Sequence, residues 1–266
     1  MRVLAAIALA GCAGADATTL ATTPSLPSLH GAPTEIGLVP GESMSFEVRL
    51  GGVLAGEAQL AVGQVGDLDG HRAVVVRSRA ATAGAVALIK HVVDEATTTI
   101  DIDSGRPLVL DTNVELGDKQ TTAHAKFTGS IADVTYETSG KQSSYKVDFG
   151  RVTVHDTHSA MAQLRGWKGA RGQTRSVFVV GGRRLWRIDV TYAGEETIGS
   201  SVGNRRVIRY DGASYRATPK LGVEPGKAAR TFSVWVSDDG DRVPLKMTAK
   251  TELGEIAMTL LEYTRP

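Results

Sequence analysis

Residues 232–263 read FSVWVSDDGDRVPLKMTAKTELGEIAMTLLEY, and their patterning decides the fold. Apolar and polar residues intersperse with a short period along Phe232 to Val236, Val243 to Thr251 and Ile256 to Tyr263; a period of two puts successive side chains on opposite faces of a strand. Asp239-Gly240 and Leu253-Gly254 separate the three runs. Asp and Gly accept the left-handed backbone that a tight hairpin requires, so the stretch is an antiparallel meander. The same grammar extends upstream. Gly51-Gly52 divides Ser43 to Leu50 from Val53 to Val62, and Asp69-Gly70 precedes His71 to Arg79. Ser139-Gly140 divides Ile131 to Glu137 from Ser144 to Phe149, and Gly181-Gly182 divides Val177 to Val180 from Leu185 to Tyr192.

Roughly a dozen strands with hairpin connections predict a mainly β fold: a single strongly curved antiparallel sheet or half-barrel. Ala85 to Val93 and Thr157 to Leu164 break the pattern as one or two short helices, the second capped by Asp156. Met161 and Leu164 lie three apart, so they share a helical face able to plug one side of the curved sheet. Residues 41–266 contain no strong linker and no fixed-period repeat, and read as one β-domain. The 30 Lys and Arg against 29 Asp and Glu leave a net charge of +1, which lacks the positive field a dedicated nucleic-acid binder needs.

The N-terminus sets the expected compartment. Met1-Arg2 is followed by an uncharged run from Val3 to Ala10, far too short to span a bilayer as a helix and read as an export signal over residues 1–11. Leu9-Ala10-Gly11-Cys12 resembles the lipobox of bacterial lipoproteins, which implies a lipidated Cys12 at the start of the mature chain. Cys12 is the sole cysteine and has no disulfide partner within the chain. Ala13, rather than Asp, follows it, and the sorting rule of enteric bacteria then implies the periplasmic face of the outer membrane. Ser, Thr, Ala and Pro dominate onward to Pro40. Residues 12–40 therefore read as a lipidated, flexible tether with an end-to-end distance of roughly 30 Å.

Several motifs look like chemistry. Gly199-Ser200-Ser201-Val202-Gly203 matches a nucleophile elbow, but that device needs a helix after it and a histidine further along; all six histidines lie at or before His158. His155, Asp156 and His158 cluster without a third ligand implied nearby, and zinc needs three or four, so a helix cap with exposed imidazoles is the simpler expectation. Asp101 to Gly105 opens like a calcium loop, but Gly105 and Thr112 occupy positions that need acidic ligands. Asp238, Asp239 and Asp241 read as a hairpin tip. No metal and no cofactor are expected. Arg183-Arg184-Leu185-Trp186-Arg187 and Arg205-Arg206-Val207-Ile208-Arg209 are two basic strands. Paired, they form either an anion site or a solvated face that blocks edge pairing.

Three further stretches carry a family resemblance. They are Gly41 to Val48 with Gly52 to Ala58, then Asp156 to Arg165 with Gly172 after it, and finally Trp235 to Leu245 with Gly254-Glu255-Ile256 and a last strand. In order and spacing they resemble the bacterial envelope family called domain of unknown function 3108. The resemblance implies export and a curved sheet similar to that of periplasmic lipoprotein-carrier folds, and it brings no catalytic residues. The lipobox and long tether depart from many members.

The expected function is non-catalytic binding of a lipid or other amphipathic envelope ligand by an outer-membrane lipoprotein. Trp186, Trp235, Met247, Met258 and Leu260 are the candidate lining, with Arg184 or Arg206 near the headgroup; the same apolar residues also describe a packed core. A structural or assembly partner of another envelope protein is the alternative, and a hydrolase assembled from distant strands the weaker one. No enzyme activity is expected.

Overall fold

The computed structural model describes residues 36–200 and 203–266. The N-terminal half runs β1 (Ser43–Leu50), β2 (Val53–Val62), β3 (Gly66–Leu68), β4 (His71–Thr82), α1 (Gly84–Ile89), β5 (Val92–Asp101), β6 (Pro107–Leu116), β7 (Lys119–Thr128), β8 (Ile131–Thr138) and β9 (Lys141–Asp148). The second half runs β10 (Val154–Asp156), α2 (Thr157–Gly166), β11 (Thr174–Gly181), β12 (Arg184–Ser200), β13 (Gly203–Ala217), β14 (Arg230–Ser237), β15 (Pro244–Thr251) and β16 (Gly254–Thr264). All belong to one curved sheet in the order β10-β11-β12-β13-β14-β15-β16-β1-β2-β4-β5-β6-β7-β8-β9, with β3 paired to β4 alone. Pairing is antiparallel except between β10 and β11, which run parallel on either side of α2. Among the described residues no helix is long and apolar enough to cross a membrane.

Turn chemistry sets the hairpins. Ser139 and Gly140 adopt φ of 51° and 75°, the left-handed pair that matches the twist of β8 and β9. The sheet's centre is a non-local seam: β1 pairs with β16, Ser43 facing Thr264 and Leu50 facing Ile256. The sheet stays open. Its two end regions meet through side chains, with Phe149 and Phe178 rings 6.1 Å apart and the Tyr145 hydroxyl donating to the Gly182 carbonyl at 3.2 Å. Val134, Val147, Phe149, Val154, Val180 and Leu185 make the core of that closure.

One expectation is corrected. The first helix ends at Ile89 rather than Val93, because the β-branched Val92 and Val93 are drawn into β5 opposite Leu116 and Glu115. The strands not read individually from the sequence include β5, β6 and β7, the last two joined at Gly117, whose φ is +61°. The second helix forms where expected. Asp156 accepts from the backbone N–H of His158 and Ser159 at 3.1 and 2.9 Å, and the Ser159 hydroxyl accepts from the Asp156 N–H at 3.0 Å, a reciprocal cap that satisfies donors at the helix start.

Candidate functional site

Helix α2 lies against the inner face of the sheet and delivers His158 to it. In register, Met44, Leu60, Ser78 and Ala96 form one cross-strand row, and Leu260, Phe46, Ala58, Ala80 and Asp94 form the next. Paired residues share a face, so Ser78 and Asp94 point to the same side as Phe46. Thr98, two alternations along β5 from Asp94, is on that face as well and meets the helix. Between the rows and α2 runs a narrow crevice of about 40 Å³. Its walls include Met44, Phe46, Leu60, Met161, Met247 and Met258, and its polar lining residues are Gln59, Ser78, Arg79, Asp94, His158 and Arg165; Gln59 and Arg79 belong to the alternate positions of β2 and β4, which face the other side of the sheet.

The polar groups are ordered by a hydrogen-bond chain. The Thr98 hydroxyl donates to Asp156 Oδ2 at 2.5 Å, so its lone pair is left to accept from His158 Nδ1 at 2.7 Å. With the proton assigned to Nδ1, His158 Nε2 accepts from the Ser78 hydroxyl at 2.8 Å. Burial pushes the His158 pKa down, against the opposing pull of Asp156, which keeps the ring neutral and fits this tautomer. Burial likewise pushes Asp94 up, to about 6, with the Glu95 charge adding to it. None of the described residues supplies Asp94 with a hydrogen bond or ion pair.

Below the crevice, Arg165 is locked. Its guanidinium grips both Glu42 oxygens at 2.6 and 2.9 Å and donates to the carbonyls of Asp241 and Arg242 at 2.8 and 3.1 Å. Gly37 packs under it, where a Cβ would lie 2.4 Å from the Arg165 Cβ.

The candidate lining divides. Met247 and Met258 face each other across β15 and β16 and line the crevice. Leu260 is buried in the same core and lies in the Asp94 row, but is not part of the wall. Trp235 points to the opposite face, where Arg209 and Lys246 stack over it and its indole N–H donates to Glu196. Trp186 is buried under Arg230, and its indole N–H finds no acceptor among the described residues. Trp167 sits in the inner core, stacked on Tyr210 with ring centroids 5.5 Å apart.

The two basic strands pair, but not with each other's arginines. Arg184 lies opposite Gly181, whereas Arg206 lies opposite Thr197, about 40 Å further along β12. Arg206 is exposed and held by Asp238 at 2.7 Å, so the pairing does not gather Arg184 and Arg206 into one anion site. The expected exposed imidazoles are also corrected: His155 and His158 are 3% and 1% exposed, because β10 and the first turn of α2 are covered by the sheet. Among the described residues no cluster of His, Cys, Asp and Glu could hold a metal. Gly203 starts a strand, not a helix, which removes the elbow geometry; Ser201 itself and Cys12 lie outside the described residues. Ser78, Asp94 and Thr98 were missed by sequence reasoning. Asp94 carried a signal, an acidic residue directly after Val92-Val93.

The chain resembles known structures in fold alone. A β-barrel-like protein of domain of unknown function DUF1849 from Brucella abortus aligns over 87% of this chain and 99% of its own, at 11% identity and a TM-score of 0.59. The hypothetical lipoprotein YmcC of Escherichia coli aligns over 84% of this chain and 85% of its own, at 11% identity and a TM-score of 0.32. The lipoprotein LppX of Mycobacterium tuberculosis aligns over 84% and 87%, at 14% identity and a TM-score of 0.25. No curated protein matches the sequence. A family model matches residues 45–261, a span that runs from β1 to β16 and takes in every wall of the crevice but Leu38 and Met44, and by it the chain belongs to the family described as Protein of unknown function (DUF3108).

Proposed function

We propose that the chain is an envelope lipoprotein, tethered to the outer membrane through Cys12, whose β-domain holds the acyl chain of an amphiphile without acting on it chemically. One observation carries the reading: a crevice inside the sheet with apolar walls and a polar lining that includes Ser78, Asp94 and His158. Four of its walls are methionines, Met44, Met161, Met247 and Met258. Their unbranched side chains repack at low cost, so a chain enters by displacing them, and each buried methylene contributes about 0.8 kcal/mol. The test is native mass spectrometry of protein purified from bacterial envelope, followed by lipid extraction. A stoichiometric acyl-bearing adduct supports the reading, and a bare mass at every preparation overturns it.

A second reading, docking to another envelope protein, is favoured by the rim of the sheet. Val53 and Leu54 in the β1–β2 hairpin, Leu88 and Ile89 in α1, and Leu253 in the β15–β16 hairpin are all exposed, Leu88 at 91%. Backbone bonds from Gly51 to Glu255 and from Ala83 to Ala55 bring these three elements to one end. Contiguous exposed apolar residues of this kind mark interaction surfaces.

A further inference from the structure

We infer that the crevice selects amphiphiles with an ammonium headgroup, and that Asp94 is the residue that selects them. The inference rests on the ligand-binding reading above and goes beyond it by naming the headgroup chemistry. The donor and acceptor inventory of the polar lining points one way. The Ser78 hydroxyl gives its only proton to His158 Nε2, which leaves Ser78 with acceptor lone pairs. Both nitrogens of His158 are engaged, by Thr98 and by Ser78. Asp94, half-buried, lines the mostly apolar crevice with a carboxylate that has no partner among the described residues. The polar groups on this face therefore offer acceptors and a negative charge.

The cations near the crevice are already spent. Arg165 is saturated by Glu42 and two carbonyls, and Arg79 bonds Glu95 at 3.0 Å on the opposite side of the sheet from Asp94. A carboxylate or phosphate headgroup would bring more acceptors and a like charge to Asp94. An alkylammonium brings three donors and no acceptor; set between Asp94 and Ser78, it gives the half-buried, unpartnered carboxylate a charge-assisted partner.

Dodecylamine, dodecanol and dodecanoate, each below its micellar concentration, separate the contributions of chain and head by titration calorimetry on the purified protein at pH 7.5. The expected order is dodecylamine tightest and dodecanoate weakest, with at least about tenfold between them, the scale of a single charge-assisted contact. Asp94→Asn is expected to remove the preference for the amine and leave dodecanol within about threefold, and Asp94→Glu to keep the preference. Equal binding of amine and dodecanoate by the natural chain, or an amine affinity unmoved by Asp94→Asn, overturns the inference while dodecanol binding still supports the acyl-chain reading. Failure of all three to bind overturns both.

Discussion

Arg165 and Glu42 form a bidentate ion pair with both side chains withdrawn from water, at 1% and 0% exposure. Through Arg165 the pair joins the segment before β1, the end of α2 and the β14–β15 connection at Asp241 and Arg242. These three stretches, far apart in sequence, meet at one guanidinium.

Removing either partner leaves a buried charge without its counterion. Arg165→Met and Glu42→Gln are each expected to destabilise by about 3–5 kcal/mol, whereas the double variant costs less than the sum. Urea denaturation of the four proteins checks this, and strict additivity would refute the coupling.

Acid sensitivity follows from the buried histidines. Burial holds His155 down at about 4, with Arg106 adding to the effect against Asp156. A depressed base is charged more readily in the unfolded chain, so its stabilising contribution is complete above about 6.5 and is lost as pH falls toward 4. The loss is about 3 kcal/mol over that window. Thermal melts from pH 7 to 4 are expected to fall, and to fall less steeply in His155→Gln.

Asp94 acts with the opposite sign. Its carboxyl is raised to about 6 by burial, so the folded state binds the proton more tightly and loses stability as pH rises from about 4 to 6. Asp94→Asn is expected to raise stability at pH 7 by about 2–3 kcal/mol and to change it little at pH 4. A variant equally stabilised at both values would show that the charge is not the cause.

The exposed rim predicts a loss of contact without a loss of fold. Leu88→Asp with Ile89→Asp is expected to shift stability by less than about 0.5 kcal/mol, as for other surface sites, and to reduce crosslinking of the protein to envelope partners in cells. Unchanged crosslinks would remove the docking reading.

Cys12→Ser tests the tether. The variant is expected in the soluble periplasmic fraction, since lipid anchoring depends on the acylated sulfur; recovery with the membrane at the level of the natural chain would refute the lipobox reading.

Much of the architecture is legible in the sequence because it is local. Ser43 to Leu50 and Val53 to Val62 match β1 and β2 at both ends, since Gly51-Gly52 leaves no other turn. Asp156 caps α2 because its carboxylate reaches donors two and three residues on. The site is less legible. Met247 and Met258 line the crevice, but Trp235, with apolar residues on both sides of it in sequence, turned to the opposite face. A period of two separates the faces of a strand without saying which becomes the inner one.

The sequence by itself determined the strands marked by flanking turn residues, their hairpins and the helix cap, because each depends on dihedral preferences and hydrogen bonds within a few residues. Only the tertiary structure decided that Ser78, Thr98 and His158 form one hydrogen-bonded chain and that Asp94 shares their crevice. That assembly depends on the curvature of the sheet, the seam between β1 and β16, and the seating of α2 across residues some 60 to 80 positions away. Those distances are closed by burial of apolar surface, a non-directional force with no local sequence signature.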